Sequence, residues 1–239
     1  MAKDEKTTVC LVGKSPNIVG KGLGSLIDSH DIVVRMNTNS RSGEFHGRYS
    51  ARDYGTITNH IHTHPYIGMR HSLGVSSKVL KNLTCSTHNE SSRKRLFVVL
   101  QDESWWTYPH NGRLSGIECG EFSVRDKEKN FQKLEKICEE FDVDLEARYF
   151  EPEAKIITDL MVKFNPSKKF LSHGLLTGTE TILYYTNRFE NVSIAGFLND
   201  NDPVINKMGG VLEQLEYDCF ILNQLLKLRL IKRLEDIEI

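Results

Sequence analysis

The chain has 239 residues, 26% charged and 39% hydrophobic, with 17 Gly and 6 Pro, a globular composition that excludes collagen and low-complexity disorder. Thirty-one Lys and Arg against thirty-two Asp and Glu leave a formal charge of -1, so the basic field needed for non-specific nucleic-acid binding is missing. No apolar run approaches the ~20 residues that span a bilayer, and five scattered cysteines with no CxxC pair fit neither a disulfide framework nor a thiolate zinc site.

In chain order, TTVCLVG (7–13) reads as a buried parallel strand ending at glycine. A Gly-punctuated loop and helix lead to DIVVRMN (31–37), a second buried strand that closes a β-loop-α-β unit. YGTITNHIHTH (54–64) alternates in period two and predicts a third strand, and RLFVVLQ (95–101) a fourth. Asp126 to Phe141 is expected to be an amphipathic helix, with Phe131, Leu134, Ile137, Cys138 and Phe141 on one side. ARYFEP (147–152) reads as a short strand, AKIITDLMVKF (154–164) as a helix, and LLTGTETILYYTNRF as a helix opening at Thr177-Gly178. NVSIAGF (191–197) returns to strand, and Leu212, Leu215, Cys219, Leu222 and Leu226 mark a core-facing helix. This alternation predicts one α/β domain over residues 1–239, with a mostly parallel sheet and helices on both faces.

Two phosphate-binding signatures fail in the first loop. Gly20, Gly22 and Gly24 do not follow the strand directly as GxGxxG requires, and six residues separate Gly13 from Gly20-Lys21, where a P-loop has four. What remains is a loop of backbone N–H groups running from a strand into a helix, a setting that stabilises anions and favours nucleotide binding.

Residues 10–37, CLVGKSPNIVGKGLGSLIDSHDIVVRMN, resemble the large sialylmotif of the eukaryotic-type sialyltransferases, glycosyltransferase family 29, and residues 176–197, LTGTETILYYTNRFENVSIAGF, resemble its small sialylmotif. The resemblance implies a Rossmann-like sialyltransferase fold, a GT-A variant. It implies metal-independent, inverting transfer of sialic acid or a related acidic sugar from a CMP-activated donor to a glycan hydroxyl, with no cofactor. Lys14, Ser15, Asn17 and Asn37 would hold the donor, Thr177 and Gly178 would approach its sugar and phosphate, and Gly196 falls at the family's close-approach glycine after the last strand. Lys14 stands where the family usually has Asn.

The family also carries histidines after the small motif, one of them the base for the acceptor hydroxyl, whereas no histidine follows His173 here. The proton acceptor is therefore sought among Glu213, His173 and His30, with Glu216, Asp200 and Asp202 behind them. The plainer reading of each of these acids is a solvated surface group. Cys10 matches the family's half-cystine but Phe189 lies near the partner position, so a cytoplasmic protein of bacterial or viral type is expected, and a Golgi lumenal one only if the chain is a fragment.

Two alternatives stay open: a CMP- or glycan-binding relative without activity, and a metal hydrolase built on His60, His62 and His64, whose alternation puts three imidazoles on one strand face. Asp200-Asn201-Asp202 before Pro203 reads as a turn rather than a metal-binding DxD. Trp105, Trp106, Tyr108 and His110 form an aromatic loop that suits stacking on a sugar or base as well as packing on the core. Asn82, Asn89 and Asn191 sit in glycosylation sequons, which carry meaning only in a secreted chain.

Overall fold

The computed structural model describes residues 3–36, 50–63, 80, 83, 93–100, 132, 135–149, 177–198 and 212–237. Its strands are β1 (Asp4–Val12), β2 (Ile32–Met36), β3 (His60–Thr63), β4 (Arg95–Leu100), β5 (Asp144–Tyr149), β6 (Phe189–Ala195) and β7 (Lys232–Arg233). They form one sheet in the order β5-β4-β3-β2-β1-β6-β7, and every pairing is parallel. The helices used below are α1 (Gly24–Asp28), α2 (Ala51–Tyr54), α3 (Thr177–Thr186) and α4 (Leu212–Lys227).

The central strands form because both of their faces are covered. All five residues of β2 are buried, and each buried Val or Ile contributes about 1.5–3 kcal/mol, more than the roughly 1–2 kcal/mol per residue that backbone ordering costs. Val9, Leu11, Ile32, Val34, Val192 and Ile194 face α3 and α4, packing on Ile182, Leu183, Ile221, Leu222 and Leu225. The intervening Cys10, Val12, Val33 and Ala195 face the other way, onto Ile18, Leu23, Ile27 and Tyr54. Helices on both faces of a parallel sheet are the arrangement that the alternating pattern predicts.

Arg35 is the exception on β2, a charged side chain only 2% exposed. Its Nε donates to Thr58 Oγ1 at 2.8 Å and its Nη2 to the carbonyl of Tyr54 at 2.8 Å and that of Ile57 at 3.1 Å. Burial draws the guanidinium down to about 10, still charged at neutral pH. It pins the α2–β3 connection to the sheet.

Several boundaries differ from the sequence expectation, and β6 lies two residues earlier than expected, at Phe189–Ala195. The alternation from Tyr54 to Asn59 is not strand: Tyr54 ends α2, Gly55 turns the chain at φ 71°, and β3 begins only at His60. β5 lies three residues earlier than expected, at Asp144–Tyr149. The two-residue β7 was not expected; it adds to β6 through Ser193–Lys232 and Ile194–Arg233 register. Of the expected 126–141 helix, residues 135–140 are helical and Phe141 and Asp142 turn out of it, while the 154–164 helix lies outside the described residues.

Candidate functional site

From β1 the sheet extends through β2 to β5 on one side and through β6 to β7 on the other. Open α/β sheets bind ligands beyond the carboxyl ends of the strands flanking such a reversal, here the ends of β1 and β6. The two chains are in contact there. Gly13 donates its N–H to the Ala195 carbonyl at 2.8 Å and Ser15 to the Gly196 carbonyl at 2.7 Å. A Cβ on Gly13 would overlap the Gly196 carbonyl oxygen, and Gly196 itself adopts φ 69°, a left-handed conformation that glycine takes without strain. Gly196 thus lets the backbones of β1 and β6 converge.

Ser15 caps the short 3₁₀ helix Pro16–Ile18, its Oγ accepting from the Asn17 N–H at 3.4 Å. It is buried, and its carbonyl accepts from the Tyr54 hydroxyl at 2.7 Å. Asn17 donates from Nδ2 to the Phe197 carbonyl at 2.8 Å, and its Oδ1 is buried with no hydrogen-bond partner among the described residues. Lys14 is exposed at the rim, yet enough protein surrounds its ammonium for desolvation to draw it below the ordinary lysine value.

The third contribution comes from α3. It opens at Thr177 as expected, is buried from Thr179 through Thr186, and points its N-terminal, positive end toward the same corner. A Cβ on Gly178 would stand 2.9 Å from Cε1 of Phe197, so the first turn sits against that ring. Phe197 therefore links the two sialylmotif-like segments: Asn17 holds its carbonyl and Gly178 abuts its ring. Sequence reading missed Phe197, because contacts across 180 residues leave no periodic trace.

The structure does not bring His30 to this edge. His30 precedes β2 and so lies toward the amino end of the strands, with Nδ1 at 2.9 Å from the Leu26 carbonyl and Nε2 at 3.1 Å from Ser193 Oγ. An Nδ1–H donating to the carbonyl leaves Nε2 to accept from the serine, which is the neutral tautomer. Burial correspondingly holds its pKa below the usual value. Glu213 belongs to α4, Glu216 is exposed, and Asn37, His173, Asp200, Asp202 and the aromatic loop at 105–110 lie outside the described residues. Cys10 and Cys138 form no disulfide among the described residues, and complete burial pushes the Cys10 thiol well above the ordinary thiol range.

His60 and His62 share a face, as the alternation predicts, and that face is core. His60 Nδ1 lies 2.6 Å and His62 Nε2 3.0 Å from the Tyr185 hydroxyl, and the His62 ring stacks on Phe97 at 4.2 Å between centroids. One hydroxyl serves both rings by donating to one and accepting from the other, and this joins β3 to α3. His64 lies outside the described residues.

A model of a family described as glycosyltransferase family 29 (sialyltransferase) matches residues 2–207. No curated protein matches the sequence. Among solved structures, one of a mammalian sialyltransferase in complex with Gal-beta-1-3GalNAc-ortho-nitrophenol is 16% identical with a TM-score of 0.44, covering 95% of this chain and 68% of that one. A second mammalian sialyltransferase structure is 17% identical with a TM-score of 0.42 and the same coverage.

Proposed function

Since the chain belongs to glycosyltransferase family 29, the sialyltransferases, we propose that it transfers sialic acid or a related acidic sugar from a CMP-activated donor to a glycan hydroxyl. The observation that carries this reading is the convergence on Phe197, where the Ser15–Asn17 loop and the start of α3 meet at the sheet reversal. Lys14, Ser15, Asn17 and Asn37 hold the nucleotide, and the Thr177–Gly178 helix start faces the phosphate and the sugar. Asn17 Oδ1 supplies an acceptor not used within the described structure.

The acceptor oxygen attacks the anomeric carbon as its bond to the phosphate oxygen breaks, with inversion and without a metal. CMP departs with the bonding electrons, and the hydroxyl proton passes to Glu213 or His173. CMP is a good leaving group, so much of the rate gain comes from holding both reactants in line.

The test is calorimetric titration with CMP, followed by assay of CMP release from CMP-sialic acid with and without a glycan. CMP binding with glycan-dependent release supports transfer. Binding without release favours the inactive relative. Absence of CMP binding refutes the donor site.

A further inference from the structure

We infer that Glu235 and Arg233, on the C-terminal segment after α4, are positioning residues for the donor site: together with the Ser15–Asn17 loop they fix the Gly196–Phe197 corner. The inference rests on the donor reading above and extends it to residues beyond the 2–207 span matched by the family.

Two backbone groups of the corner, the Gly196 N–H and the Phe197 carbonyl, are held by this segment. Glu235 Oε1 accepts the Gly196 N–H at 2.8 Å, and Arg233 donates from Nη1 to the Phe197 carbonyl at 2.9 Å. That carbonyl also accepts from Asn17, while the Gly196 carbonyl accepts from Ser15. Two charged side chains and two elements of the candidate donor loop thus meet on one dipeptide. Gly196 needs such restraint, because a glycine at φ 69° has no side chain to hold it there and gains freedom if released.

β7 supplies the leverage. Its pairing with β6 sets Arg233 beside Ile194, two residues before Gly196, and the following 3₁₀ turn Leu234–Asp236 brings the Glu235 carboxylate back over the strand end. Arg233 is buried. The other Glu235 oxygen, Oε2, is buried with no partner among the described residues, and Lys21 Nζ reaches the Glu235 carbonyl at 3.5 Å. A carboxylate with one oxygen shut off from solvent is a costly device for holding one amide, and it suits a corner whose position has to be fixed.

The experiment compares CMP affinity in the full chain and in Glu235→Ala, Glu235→Gln and Arg233→Met, below each variant's melting temperature so that only folded protein is titrated. Wild type should bind CMP, E235A about tenfold more weakly, as loss of a hydrogen bond to a charged group predicts, and E235Q within about threefold of wild type, since its amide oxygen still accepts from Gly196. A merely stabilising role lowers the melting temperature and leaves the affinity of folded protein unchanged. Wild-type affinity in folded E235A, or a loss in E235Q equal to that in E235A, overturns the inference while the donor reading stands. If E235A does not fold, R233M decides by the same affinity criterion. If wild type itself does not bind CMP, the donor reading fails and takes the inference with it.

Discussion

Substituting Gly13 by Ala tests the β1–β6 corner directly. The added methyl would overlap the Gly196 carbonyl oxygen and lie 2.9 Å from its carbon and 3.2 Å from the Phe197 ring. The obstacle is backbone, so relief requires the two strand ends to separate by roughly 1 Å to regain ordinary carbon contacts. That movement weakens the bonds from Gly13 to Ala195 and from Ser15 to Gly196, at 2.8 and 2.7 Å, each with a net value of about 0.5–1.5 kcal/mol. Overpacking adds about 1–3 kcal/mol, and the lower entropy of the unfolded alanine chain returns about 0.4–1 kcal/mol. The net destabilisation is about 2–5 kcal/mol, which for a chain of this size lowers the melting temperature by about 4–20 °C. Gly20→Ala is the control. Gly20 has φ 82° but nothing within 4 Å of its Cβ, so it bears only the left-handed penalty of about 1–2 kcal/mol. Calorimetric melts of both variants decide the matter: if G13A melts within about 2 °C of wild type, or no lower than G20A, the close approach of β1 and β6 does not have the weight assigned to it.

Tyr185→Phe removes the hydroxyl between His60 and His62 and should cost about 1–3 kcal/mol, measured by denaturant unfolding; unchanged stability would show that the rings do not need it. Stability should fall in two stages on acidification. His30 is held down chiefly by burial, so below the ordinary imidazole value of 6.5 the unfolded chain binds a proton that the folded one resists, and stability drops; in H30N this first slope should vanish from urea midpoints measured between pH 7 and 5. Asp31, held down first by the Thr8 N–H, and Asp53, by the Gly20 N–H, make their contribution above the unfolded value of 3.8, so it is lost as pH falls below about 4 through their lower folded values. Glu235 opposes both, because burial raises its carboxyl and the folded form takes up its proton first; D31N should flatten the lower slope and E235Q should steepen the fall as the pH approaches the ordinary carboxyl value of 4.5 from above.

How much of this was legible depends on whether a feature is local. β1 and β2 are continuous apolar runs with both faces covered, so composition alone marks them, and α3 is announced by Thr177-Gly178 before an apolar stretch. The misread strand at 54–59 shows the limit of period two. Tyr54 and Ile57 both pack on the core, but they are three residues apart, one at a helix end and one in a loop bent at Gly55, and share no strand face. β7 has two residues and exists because β6 offers an edge, which no window of sequence contains. The Phe197 corner is equally silent, since its partners Asn17, Arg233 and Glu235 lie up to 180 residues away and their side chains bond to its backbone groups, which any sequence would offer. The placement of His30 is different, because chain direction alone decides it. In a parallel sheet a residue just after a strand lies at the carboxyl edge and one just before a strand at the amino edge, whatever motif contains it. Ser15 follows β1 and Phe197 follows β6, whereas His30 precedes β2; its backbone therefore starts from the amino edge even though it shares the motif with Ser15, and its ring reaches only as far as Ser193, two residues short of the end of β6. A helix leading into a strand reverses that rule for its own start, since it runs back along the sheet, and this is why Gly178, eleven residues before β6, reaches Phe197 just after it. Strand direction thus sorts the motif residues into those that can meet a donor and those that support the sheet beneath it.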